Sequence, residues 1–113
     1  MTAGPQARGV YRAGDRVRNE EWVTRLEEAA DRLELGTAAR SRARDLFLST
    51  ATETDRPRSK RAAVAAAIYA ATLLEGDRRS QAAVADAVGV SRLTVQQRWK
   101  PLLEGAGLDA PEW

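Results

Sequence analysis

The 113-residue sequence contains no cysteine and no histidine. Within these residues that excludes disulfide staples, zinc ribbons, thiol catalysis and Ser–His–Asp sets. Aromatic residues are scarce, at 5%. The longest apolar run, residues 62–74, is too short to span a bilayer. No continuous apolar stretch near the start reads as a secretory signal, and no Gly-rich phosphate loop is found. The expectations are a cytoplasmic binding module, with no enzyme activity, no metal, no cofactor and no membrane association.

What is present is ordinary for a globular domain, with 43% hydrophobic and 30% charged residues, but the charge is unevenly placed. The net charge is only +2, divided as +3 over residues 1–18, −4 over 19–35, +4 over 36–62 and −1 over the remainder. Distribution therefore says more about partners than the total does. Residues 1–18 show no sustained period and read as a flexible basic arm. Residues 19–105 read as one folded domain, and 106–113, with Gly107, Pro111 and Trp113, as a loose tail.

Periodicity predicts five helices and no strand. Asn19 caps the first, near 20–34, whose stripe is Trp22, Leu26, Ala29, Ala30 and Leu33, with Gly36 at the stop. The acids Glu20, Glu21, Glu27, Glu28, Asp31 and Glu34 lie mostly off that stripe, on a solvated face. Thr37 caps the second, near 38–50, with Ala39, Ala43, Leu46 and Phe47 inward. Residues 51–57 form a loop. Ser59 caps the third, near 60–74, which is Ala-rich and apolar almost all round, as expected of a helix surrounded by others.

The most informative stretch is 78–100, RRSQAAVADAVGVSRLTVQQRWK. Ser80 caps a short helix near 81–88 with Val84, Ala85 and Val88 inward. Gly89 turns the chain, Ser91 caps the last helix, near 92–104, and Val95 returns to the core. This is helix-turn-helix spacing, over residues 80–104. Steps of 100° place Val95, Trp99, Leu102 and Leu103 on one side and Leu93, Gln97 and Lys100 opposite, flanked by Arg92, Thr94 and Gln96. Pro101 is expected to kink the helix or end its regular part.

In such units the N-terminal exposed residues of the second helix meet base edges. Arg92, Leu93, Gln96 and Gln97 are the candidate base contacts: Gln pairs with adenine, Arg with guanine, and Leu touches a thymine methyl. Arg78, Arg79, Ser80, Gln81, Ser91 and Lys100 are the candidate phosphate contacts. A second basic cluster, Arg56, Arg58, Lys60 and Arg61, crowds a helix start, where cations oppose the helix dipole unless an anion sits among them.

Residues 59–104 resemble the second cyclin-like repeat of archaeal transcription initiation factor IIB. The resemblance rests on Ile68-Tyr69-Ala70-Ala71, Ser80-Gln81, Val84-Ala85, Val90-Ser91, Thr94-Val95 and Trp99-Lys100, and extends more weakly back to residue 20. It implies an all-α, five-helix cyclin-like bundle around a central third helix, with a C-terminal helix-turn-helix. It also implies a DNA-binding role in transcription, with double-stranded DNA and TATA-binding protein or RNA polymerase as partners. Leu93 and Gln96 fall where the family places a base-reading Val and Arg. The family's zinc ribbon and second repeat have no counterpart in these residues, so a stand-alone single repeat is expected, with a homodimer covering the surface its neighbour would bury. The alternative is a protein–protein adaptor that does not touch DNA and contacts TATA-binding protein, RNA polymerase or a second copy of itself.

Overall fold

The computed structural model describes residues 13–50 and 56–108, with side chains from Asn19 onward. The helices are α1 (Ala13–Arg32), α2 (Thr37–Thr50), α3 (Pro57–Leu74), α4 (Gln81–Val88) and α5 (Arg92–Gly105), with no strand among the described residues. Residues 1–12 of the expected arm, 51–55 of the expected loop and the tail from 109, including Trp113, lie outside the described residues.

The third helix is the hub, packing against each of the other four. Along it residues 62–68, 70 and 71 are all buried, with only Tyr69 partly exposed between them. Most of these are alanines, and such small side chains let the neighbouring helices approach closely and pack against a nearly smooth rod. Around it the expected stripes close: Trp22, Leu26, Ala29 and Ala30 from α1; Ala39, Ala43, Leu46 and Phe47 from α2; Val95, Trp99 and Leu103 from α5. Leu35 and Ala87 also turn inward, outside the expected stripes, whereas Leu33 and Val88 are only partly buried.

Several helix ends differ from the sequence reading. Asn19 does not cap α1, which begins six residues earlier, so residues 13–18 of the expected arm are helical. Gly36 is not its stop either. Glu34 takes the left-handed conformation, φ 56°, while Glu34 N–H donates to Asp31 O and Leu35 N–H to Ala30 O, the pairing of a Schellman ending. Leu35, the residue after the turn, is buried and supplies the hydrophobic contact that usually attends this ending. At α3 the cap is Arg56 rather than Ser59, because Pro57 sits at the helix start, where its fixed φ and missing N–H cost nothing. The last helix keeps its expected length: Pro101 lies inside α5, which runs on to Gly105. Gly107, φ 81°, then closes it, and Leu108 folds back against the core instead of opening a loose tail.

The charge blocks resolve into contacts. The exposed acids of α1 meet the arginines of α2: Asp31 pairs with Arg40, and Glu27 lies 3.7 Å from Arg44. Arg42 reaches Glu75 at the end of α3, 2.9 Å away. Much of the basic charge of α2 is thereby matched within the fold.

Candidate nucleic-acid interface

The helix-turn-helix forms from local rules. Ser80 Oγ accepts the Ala83 N–H at 3.0 Å and starts α4. Gly89 stops it at φ 92°, with its N–H and that of Val90 both donating to Ala85 O. Ser91 is extended, and its Oγ accepts the Thr94 N–H at 3.1 Å, which starts α5 two residues after α4 is closed. Only glycine takes the Gly89 conformation without strain, so this residue fixes the angle between the two helices.

With Val95, Trp99 and Leu103 buried, the opposite face of α5 is turned outward. Arg92, Leu93, Gln96, Gln97 and Lys100 are all exposed, Leu93 at 57%. The residues named from the sequence as base contacts therefore share one open face. Lys100 is set slightly apart, its ammonium 5.6 Å from the Trp99 ring centroid. Trp99 itself meets Tyr69 edge-on, at 5.5 Å between centroids, which locks α5 to the hub.

The expected phosphate contacts divide. Ser80 and Gln81 sit at the start of α4, with exposed Arg78 beside them. Arg79 is engaged elsewhere. Its guanidinium donates to Leu33 O at 2.9 Å, Glu34 O at 3.0 Å and Asp77 Oδ1 at 2.8 Å. It braces the α1–α2 and α3–α4 turns against each other. Asp77 completes the brace by accepting the Gly36 N–H at 2.8 Å. That N–H, and then the Arg79 guanidinium, hold the Asp77 carboxyl below the usual carboxylate range.

Ser91 belongs to a different place. It lines a groove of about 550 Å³ with Pro57, Arg58, Arg61 and Thr94, between the starts of α3 and α5. The sequence marks the α3 start as a separate basic cluster but does not join it to Ser91, because the two are some thirty residues apart along the chain. Lys60 departs from that cluster. Its side chain is buried, 3% exposed, and its ammonium donates to Asn19 Oδ1 at 3.2 Å. Three arginines of the cluster, Arg56, Arg58 and Arg61, remain exposed.

Among the described residues no cluster of three or more acidic side chains is arranged to hold a metal ion. No helix among them is long and apolar enough to cross a membrane.

Residues 20–105, roughly three quarters of the chain, match the family described as transcription factor TFIIB repeat. The chain is also similar to transcription initiation factor IIB of Pyrococcus horikoshii, 48% identical over 48 residues. It is 46% identical over 48 residues to transcription initiation factor IIB 1 of Thermococcus kodakarensis, and 49% identical over 45 residues to the factor of Methanococcus maripaludis strain C5. These matches take in 40–42% of this chain and only 13–16% of each relative, so the shared stretch is a small part of the relatives' length.

Proposed function

This chain belongs to the transcription factor TFIIB repeat family, a family of transcription factors and not of enzymes, and on that footing we propose that it acts in transcription initiation by binding double-stranded DNA, with α5 reading the major groove. The observation that carries the reading is the outward face of α5. A helix started by Ser91, right after the Gly89 turn, presents Arg92, Leu93, Gln96 and Gln97 together, while its other face is anchored in the core. Those side chains offer a guanidinium, two amides and a methyl-bearing tip, the groups that distinguish base pairs from the major-groove side. Lys100, Arg78, Ser80, Gln81 and Ser91 act on the backbone, and Arg79 acts indirectly, by holding the turn that positions α4.

TATA-binding protein and RNA polymerase are the protein partners this reading brings with it. The alternative, an adaptor that contacts those proteins without touching DNA, would use the same exposed Leu93 as an apolar anchor. A titration against randomised duplexes at two salt concentrations decides between them. Binding that falls steeply with salt and selects a sequence supports groove reading. No duplex binding even at low salt leaves the adaptor.

A further inference from the structure

The groove between α3 and α5 has no part in the base-reading face, yet its chemistry is specific. Arg56, Arg58 and Arg61 crowd the first turns of α3, where no acidic residue is present and no side chain caps the helix. Cations at a helix N-terminus face its positive end, an arrangement that costs stability unless a negative group lies among them. The arginines of α2 find acids within the fold, whereas among the described residues no ion pair involves Arg56, Arg58 or Arg61. Arg61 is held from the other side, its guanidinium carbon 6.0 Å from the Trp22 ring centroid.

We propose that this groove seats a phosphate of the DNA strand bordering the major groove that α5 enters, gripped by Arg58 and Arg61. The proposal rests on the DNA reading of α5 and extends it to a second strand contact. Ser91 and Thr94 line the groove, so a phosphate there lies beside the first turn of the reading helix. Two of the other proposed phosphate contacts lie toward the far end of the hub: Arg78 and Ser80 share a second depression with Tyr69 and Leu73. Pro57 and Tyr69 are separated by roughly 18 Å along α3 at the helical rise per residue. That is the scale needed to hold backbone on both sides of a major groove about 12 Å wide. Arg58 and Arg61 are thereby the counterpart of Arg78 and Ser80, one pair for each flank.

The test is a fluorescence-anisotropy titration of a labelled duplex over a salt series, with Arg58→Gln, Arg61→Gln, Arg61→Lys and Arg44→Gln. The expected result is that Arg58→Gln and Arg61→Gln each weaken binding to all sequences alike and reduce the salt slope by about 0.9. Arg61→Lys retains the slope. Arg44→Gln removes the same charge from a position facing Glu27 and leaves the slope unchanged. Melting curves show whether Arg61→Gln has disturbed Trp22; Arg58 lies on the exposed side of α3 and carries the test without that concern. Wild-type binding with an unchanged slope in Arg58→Gln overturns the groove contact and leaves the α5 reading intact. An equal loss in Arg44→Gln overturns it too, because net charge alone would then set the slope. Absence of wild-type binding removes both.

Discussion

Two residues on α5 should separate folding from the proposed recognition. Trp99 is 8% exposed and is wedged against Tyr69, so Trp99→Ala should cost ~3–5 kcal/mol, measured by denaturant unfolding. Gln96, three residues away, is exposed, and Gln96→Ala should leave the unfolding curve in place. Its effect should fall on base preference, at ~1–3 kcal/mol for one position of the site, read by selection from randomised duplexes. If that substitution alters neither affinity nor preference, DNA meets another face. The inward and outward sides of α5 are legible in the sequence because apolar and polar residues alternate there with a clear helical period. Lys60 is not legible. A lysine is almost always solvated, and nothing in its neighbours in sequence announces that its ammonium ends beside Asn19, on another helix.

At the scale of elements, legibility tracks how local each signal is. The α4–turn–α5 unit matches its expected bounds closely, since Ser80, Gly89 and Ser91 each act within a few residues of themselves. The α1 end is obscured because a glycine, the usual occupant of the left-handed position, stands two residues beyond the glutamate that takes it. The α3 start is obscured because Ser59 competes with the better signal, Pro57. The two glycines near these turns should respond differently to alanine. A Cβ at Gly89 would meet nothing within 4 Å, so the cost of Gly89→Ala is conformational, ~1–2 kcal/mol for a non-glycine residue at φ 92°. Gly36→Ala places its Cβ 3.4 Å from Asp77 Oδ2 without a positive φ, and should change the melting temperature far less. A melting comparison of the two variants checks both.

For the whole molecule, the brace formed by Gly36, Asp77 and Arg79 links acid sensitivity to the fold. Because the folded pKa of Asp77 is lowered, its contribution is present above the unfolded value, about 3.9, and is lost as pH falls through the lower folded value. Melting temperature should therefore drop on acidification below about pH 4, and Asp77→Asn should flatten that drop while lowering stability at neutral pH. An acid limb unchanged by Asp77→Asn would assign the effect to other carboxylates. Light scattering tests the homodimer. Leu48 and Leu93 are the large hydrophobic residues exposed among those described, so a dimer held by apolar contact should dissociate on Leu48→Glu or Leu93→Glu. The candidate interface is half legible in the sequence for a related reason: periodicity exposes one helix face, but a groove assembled from two distant segments exists only once the chain has folded.

The enclosed position of α3 has a kinetic corollary. Its residues from Ala65 to Ala71, Tyr69 apart, are buried in a helix that packs against all four others, so fraying of a single neighbour should not uncover their amides. In deuterated water these amides should be the last to exchange, and only through opening of the entire bundle, so their rates report global stability directly. The amides at the start of α4 and α5, near the solvent, should exchange orders of magnitude sooner. Saturating duplex should slow the α5 set selectively if that helix is the one occluded, while the α3 rates slow only as far as binding stabilises the whole fold.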